Sequence, residues 1–411
     1  MIHLANCSAM TSIIQTFTVS ESLRFLEGQP HFWRKNGYKM HILTAESEDL
    51  IRFGLQNNSH TSPISFRRKA CSIYHDFKSA WQLVCFFKKL NPQIAHGNTP
   101  KAATLTMFAA WYMNVPIRIY EMHGLPLETA GWLGRIVWPL IERLSCRLAT
   151  HVIAVSPSLR NTVIQRKLVM PAKISVIHHG SCNGIDAENE FNPSFVDKKE
   201  IESLQQKYGL CEGQKVVGFV GRLTKDKGVM ELYEAWQNIK QQFPTAKLLM
   251  IGEKDTRAPL SKKWMRKFDA DASIIQTGKV KDPAQYYALM DFLVLPSYRE
   301  GLGNVVLEAA AMEKPAVVSC VTGLKDTIVK NQTGIFCQPY SVDVLTKKIA
   351  FYLEKPAVVQ MHGTAARARV KLFFRPIDVW NGKLQLYRHL VATHESVILQ
   401  HELSTTFQTA H

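Results

Sequence analysis

Residues 291–312 read as a strand, a loop and a helix in unbroken succession, the repeating unit of an α/β chain. Asp291-Phe-Leu-Val-Leu295 is a short apolar run of buried-strand type, closed by Pro296. Asn304-Val-Val-Leu-Glu-Ala-Ala-Ala-Met312 has helix composition, and Asn304 is expected to cap it through its side-chain oxygen. Between them lies Tyr298-Arg-Glu-Gly-Leu-Gly303, with Glu300 in the loop and Glu308 one turn into the helix. In open parallel sheets such a loop lies at the carboxyl edge, where ligands bind. Gly301 and Gly303 carry no Cβ, so backbone amides at the helix start can approach a ligand closely. Ionised carboxylates accept hydrogen bonds and donate none, so two of them suit a ligand with several hydroxyls, a sugar.

The same alternation runs through the chain. Strands are expected at 12–17, 39–44, 93–96, 117–122, 151–155 and 174–177, with helices between them. The helix after Ser20 is expected to be kinked by Pro30, and 45–72 to be irregular. Residues 187–199 read as an interdomain linker. A second series follows at 216–220, 247–251, 273–277, 292–295, 316–319 and 334–337. The expected fold is α/β, with two doubly wound Rossmann-like domains at 1–190 and 200–370. Later helices include one at about 376–392, and the tail from Glu395 is expected to be loose.

A chain of 411 residues exceeds one compact core. No apolar run is long enough to span a bilayer, and Met1–Ser8 is not expected to begin a signal peptide. The eight cysteines show no paired spacing and fit reduced thiols. The net charge of +16 is even, with 20 Lys and Arg against 12 Asp and Glu up to residue 190 and 30 against 22 beyond. No basic arm for nucleic acid appears, so the excess points to diphosphates or an anionic membrane surface. The helix expected at 129–150 carries an apolar stripe of Leu133, Ile136, Val137, Leu140, Leu144 and Leu148, edged by Trp and Arg. Packing on the sheet is the preferred reading of that stripe, with membrane contact a second use of the same helix.

Gly221-Arg-Leu-Thr-Lys-Asp-Lys-Gly228 follows a strand and precedes a helix. Arg222 and Lys227 there read as a diphosphate site, since Arg binds bidentately and Lys adds a point charge. The chain has no P-loop. Asp269-Ala-Asp271 has the form of a metal-binding D-x-D and reads as a solvated loop. His96 and Lys101 are placed to touch an acceptor diphosphate.

Gly221-Arg-Leu…Lys227-Gly228, Pro296-Ser297, Glu300-Gly-x-Gly…Glu308 and His123-Gly124 together resemble the retaining GT-B glycosyltransferases of family 4, over most of residues 12–390. The N-terminal half, with Asn98-Thr-Pro-Lys101, looks like members that extend lipid-linked glycans for surface polysaccharides. The resemblance implies that Arg222 and Lys227 hold the donor diphosphate and that Glu308 binds the ribose. It implies that Glu300, with the amides of Gly301, Gly303 and Asn304, holds the donor sugar, and that His123 faces the reacting sugar. It implies two domains facing a cleft, a nucleotide sugar donor, most simply UDP-linked, retention of configuration, no metal or other cofactor, and a last helix crossing back to the first domain. The implied acceptor is a polyprenyl-diphosphate saccharide at the cytoplasmic face of the membrane. Family members carry glycines in the loop after the first strand, where this chain has Thr16-Phe-Thr-Val-Ser20, so Thr18 stands among the acceptor residues. Leu302 replaces the usual aromatic. Rival readings are a soluble transferase for a small sugar, a GT-B nucleotide-sugar epimerase, and a binding scaffold without turnover.

Overall fold

The computed structural model describes residues 10–67, 73–255 and 259–409. Cys7, Cys71 and the first nine residues, with the expectation on a leader, lie outside them. The other six cysteines form no disulfide.

The chain divides into two units. The first comprises residues 1–155, 163–177 and 379–411, and the second 156–162 and 178–378. Residues 178–199, expected to end the first domain and link it onward, therefore belong to the second.

The first unit contains β1 (Thr11–Thr16), α1 (Gln29–Lys35), β2 (Tyr38–Thr44), α2 (Glu48–Asn57), β3 (His60–Pro63), α3 (Ile73–Leu90), β4 (Ile94–Asn98), α4 (Pro100–Tyr112), β5 (Ile117–Met122), α5 (Trp132–Leu148) and β6 (His151–Ala154). Helix α6 (Pro157–Gln165) runs from one unit's residues to the other's, and β7 (Ile174–Ser175) completes the first sheet. All its strand pairs are parallel, in the order β3-β2-β1-β4-β5-β6-β7. Parallel strands need long crossovers, and α3, α4 and α5 supply them on one face. There Leu83, Phe87, Ala102 and Ala109 bury against Ile14 and Ala95. On the other face Trp33 of α1, Tyr38 and Tyr387 form the core.

The second unit runs α7 (Lys198–Tyr208), β8 (Val216–Val220), α8 (Val229–Gln242), β9 (Lys247–Ile251), α9 (Lys262–Asp269), β10 (Ile274–Gly278), α10 (Pro283–Ala288), β11 (Phe292–Leu295), α11 (Asn304–Ala311), β12 (Ala316–Ser319), β13 (Gly334–Cys337), α12 (Val342–Glu354) and α13 (Pro356–Phe373). Its parallel sheet has the order β10-β9-β8-β11-β12-β13. The strands are near-continuous apolar runs because helices cover both faces. Helix α14 (Pro376–Thr409) closes the chain, and from Val379 onward it belongs to the first unit.

Several local expectations are corrected. Residues 48–63 form α2 and β3, not an irregular stretch. Ser47 caps α2 by accepting from Leu50 N at 3.1 Å. Pro30 stands in the first turn of α1, where its missing N–H costs nothing, so it starts a helix and kinks none. The tail after Glu395 continues α14 to Thr409.

The largest correction concerns α5. Leu133, Ile136, Val137, Leu140 and Leu144 are all exposed, and the buried residues are Glu142, Ser145 and Cys146. The polar side is turned inward because it finds partners there. Tyr120 donates its hydroxyl proton to Glu142 Oε2 at 2.8 Å, and Ser145 Oγ lies 2.9 Å from Thr104 Oγ1 of α4. Burial pushes the Glu142 carboxyl up to about 7 against the pull of that Tyr120 bond.

Candidate active site

In the second unit, successive connections run one way from β8 and the other way from β11, and these two strands are neighbours. The loops that follow them therefore part at a switch point, the ligand-binding crevice of open α/β sheets. The β8 loop carries Arg222 and Lys227, and the β11 loop carries Glu300.

Gly228 brings the two loops together. Its φ is +68°, and a Cβ there would lie 2.1 Å from the carbonyl oxygen of Pro296. No other residue permits so close an approach at that backbone angle. Tyr298 N donates to Asp226 O at 2.9 Å, and the Arg299 guanidinium lies 3.6 Å from Asp226 Oδ2. Lys227 Nζ reaches across and pairs with Glu300 Oε1, both side chains being mostly buried. Arg222 pairs with Asp255, a nearly buried acid in the loop after β9.

Helix α11 begins at Asn304 with Gly303, at φ +81°, as its N-cap residue, and no side chain caps it. The expected Asn304 cap is thus corrected, since Asn304 is already the first helical residue. An uncapped helix start keeps its N–H groups and its partial positive charge for an anion or a sugar oxygen. One turn on, Glu308 is held by Tyr287, whose hydroxyl donates to Glu308 Oε2 at 2.8 Å and lies 3.2 Å from Val305 O. Gly301 O accepts from Ser156 Oγ at 2.7 Å, so the segment 156–162 buttresses the loop after β11. Leu302 is buried.

Asp255, Tyr287 and Ser156 escaped the sequence reading. Asp255 had a signal, its place in a loop after a strand of the same sheet. A buried tyrosine on α10 and a serine more than a hundred residues upstream had none. Asp271 of the D-x-D is no solvated loop residue. It takes Lys240 Nζ at 2.7 Å, Gln237 Nε2 at 2.9 Å and Ser273 N at 3.0 Å, and anchors the start of β10.

In the first unit the switch point lies between β1 and β4. His123 follows β5, partly buried, with Nε2 3.3 Å from Asn98 Oδ1 and its ring 5.5 Å from that of Phe25. Desolvation pulls its imidazole down to about 4 despite nearby Glu121, so it is neutral at pH 7. Asn98 in turn donates to Gln15 Oε1 at 3.3 Å. The other expected acceptor residues are differently engaged. Thr18 is buried, and its Oγ1 lies 2.8 Å from Thr99 Oγ1 and accepts from Ala102 N at 3.2 Å, so it caps the start of α4. Lys101 Nζ pairs with Asp76 Oδ1 at 2.6 Å. His96 is fully buried, with Nε2 2.9 Å from Glu121 Oε2 and Nδ1 against the Tyr387 hydroxyl, which removes it from acceptor contact. Lys383 of α14 completes this cluster, 3.0 and 2.7 Å from the two Glu121 oxygens.

A departing diphosphate needs fixed cations, and sugar hydroxyls need acceptors that donate nothing back. The second unit offers both at one switch point, within a chain of two Rossmann-like units, and the class this defines is a glycosyltransferase of GT-B architecture. Comparison with known proteins carries the assignment further. Residues 200–369 match the family described as Glycosyl transferases group 1, and residues 31–188 match Glycosyltransferase Family 4. The capsular polysaccharide biosynthesis glycosyltransferase CapM of Staphylococcus aureus is 31% identical over 375 residues, covering 91% of this chain and 96% of its own. The UDP-Gal:alpha-D-GlcNAc-diphosphoundecaprenol alpha-1,3-galactosyltransferase of Escherichia coli is 26% identical over 64% of this chain and 66% of its own. The crystal structure of Anabaena HepE in complex with UDP superposes with a TM-score of 0.73 at 17% identity, covering 93% of this chain and 100% of that one. The chain belongs to glycosyltransferase family 4.

Proposed function

We propose that the protein is a retaining transferase that moves a hexose or N-acetylhexosamine from UDP to a polyprenyl-diphosphate-linked saccharide. We place it in cell-surface polysaccharide synthesis, as a peripheral enzyme at the cytoplasmic face of a membrane. The observation that carries the reading is the Lys227–Glu300 pair at the β8/β11 switch point. The names of the Staphylococcus and Escherichia relatives support the pathway class and the lipid-linked acceptor.

In this reading the donor diphosphate takes Lys227 from Glu300 and shares Arg222 with Asp255. The exchange has a chemical use. It neutralises the leaving group, and it frees the Glu300 carboxylate to accept hydrogen bonds from the sugar. Glu308, fixed by Tyr287, accepts from the ribose hydroxyls, and the uncapped start of α11 supplies amides at Gly303 and Asn304. The acceptor hydroxyl oxygen bonds to the anomeric carbon as the bond from that carbon to the diphosphate oxygen breaks. Attack on the face of departure retains the configuration, and the hydroxyl proton leaves on the diphosphate. His123, neutral at pH 7, takes a catalytic part from the first unit. No residue in this scheme holds a metal, and none is invoked.

The test is transfer of labelled sugar from UDP donors to a polyprenyl-diphosphate saccharide, with product configuration read by NMR coupling. Lys227→Ala and Glu308→Ala should each cut transfer at least about a hundredfold, the scale of losing one fixed electrostatic contact. Full activity in purified Lys227→Ala, or turnover of the donor with no acceptor as an epimerase would show, sinks the proposal.

A further inference from the structure

Helix α5 is turned inside out for a protein in water, and its neighbours share the trait. Helix α4 packs between α3 and α5, and the three cover one face of the first sheet. Along α3, Tyr74, Phe77 and Trp81 recur on one side and are 61–74% exposed. At the end of α4, Phe108, Trp111 and Tyr112 are exposed, with the first two rings 6.3 Å apart. Along α5, Trp132 joins the exposed stripe already described. A monomer in water rarely exposes so many large apolar side chains on three adjacent helices.

Charge selects the occupant. The three helices carry six exposed cations, Lys78, Lys88, Lys89, Arg135, Arg143 and Arg147, and no exposed acid among their described residues. Their two acids are withdrawn, Asp76 to Lys101 and Glu142 to the interior with Tyr120. Tryptophan and tyrosine with a rim of Lys and Arg match the interface of an anionic bilayer, where rings sit among head groups and cations meet lipid phosphates. A second copy of this chain would meet the same positive charge.

We infer that the outer face of α3, α4 and α5 is a docking surface for an anionic lipid bilayer, entered by the aromatic and aliphatic side chains and held by the six cations. This rests on the reading that the acceptor is carried by a membrane lipid, and it adds which side chains reach that membrane. Polar packing on the inner side of α5 is what allows the apolar side to be offered outward.

The test is co-sedimentation with vesicles of phosphatidylglycerol and phosphatidylcholine in equal parts, against vesicles of phosphatidylcholine alone. The wild-type chain is expected to bind the first kind and to lose binding as salt rises. Arg135→Gln/Arg143→Gln/Arg147→Gln should lower the partition coefficient about a hundredfold. Trp132→Ser/Ile136→Ser/Leu140→Ser and, separately, Phe77→Ser/Trp81→Ser should each lower it at least about tenfold. All three variants should keep the melting temperature and its rise with UDP. A wild-type chain that ignores anionic vesicles, or variants that bind as well as wild type, overturns the inference. So does a solution dimer that the apolar variants split. Vesicle binding uses no sugar, so transfer to a detergent-solubilised acceptor in a chain that ignores vesicles would sink the docking surface and leave the enzyme reading standing. Vesicle binding without any transfer would do the reverse.

Discussion

Lys383→Met is the sharpest test of how the first unit is held together. Lys383 and Glu121 are 2% and 1% exposed, and the ammonium contacts both carboxylate oxygens. Removing one partner of a buried pair strands the other, at a cost of about 3–5 kcal/mol. His96 would then still face Glu121, through Nε2 at 2.9 Å. Burial on its own pushes the Glu121 carboxyl up, and Lys383 followed by His96 more than reverses it, so the group lies below the usual carboxylate range. In the wild type this favours folding above the unfolded pKa and is lost as pH falls through the folded value. In Lys383→Met the largest pull against burial is gone and only His96 and His123 still oppose it, so the folded pKa rises. The penalty is then absent in acid and grows as pH rises. Hydrogen exchange at the β4 and β5 amides confines the measurement to this unit. The expected loss of protection is about 3–5 kcal/mol at pH 7 and under about 1 kcal/mol near pH 4. Adding Glu121→Gln should restore most of it, because a neutral pair strands no charge. An equal loss at both pH values, or none at pH 7, refutes the reasoning.

Three other outcomes follow. Glu142→Gln should stabilise the protein above pH 7 by about 1–3 kcal/mol, because a carboxyl raised to about 7 must be held neutral or ionised in the interior while the unfolded chain ionises freely. The gain should vanish below about pH 4 in melting curves, where both states are protonated. Gly228→Ala should abolish UDP-induced stabilisation and lower the melting temperature, since its Cβ would meet Pro296 O at 2.1 Å and the loops carrying Lys227 and Glu300 must part. Tyr287→Phe should weaken UDP binding about fivefold by calorimetry, the worth of about 1 kcal/mol from one hydrogen bond, with kcat little changed once the donor saturates.

What the chain discloses by itself depends on how local the cause is. The strands at Val216–Val220 and Phe292–Leu295 are apolar runs bounded by glycine and proline, so they and the carboxyl-edge places of Lys227 and Glu300 are legible from neighbours in sequence. The order of strands then brings the two loops together. The segment 48–63 was missed because its average polarity hides a Ser47-capped helix and a polar edge strand. Helix α5 was legible as a helix and misleading in its orientation. Its stripe gives a direction around the axis, but Tyr120 and Thr104, distant in sequence, decide which side turns inward. His96 failed as an acceptor residue for the same reason, since its partner Tyr387 lies 291 residues away.

The return of α14 to the first unit sets a timetable for the newly made chain. Strands β1 to β7 leave the ribosome early, but Trp33 stacks on Tyr387 at 4.9 Å and Glu121 waits for Lys383. Those partners are translated only after the whole of residues 178–378, roughly ten to forty seconds later at common rates of synthesis. Until then the first unit lacks the ring that stacks on Trp33 and the ammonium that pairs with Glu121. The half made first is thus the one finished last.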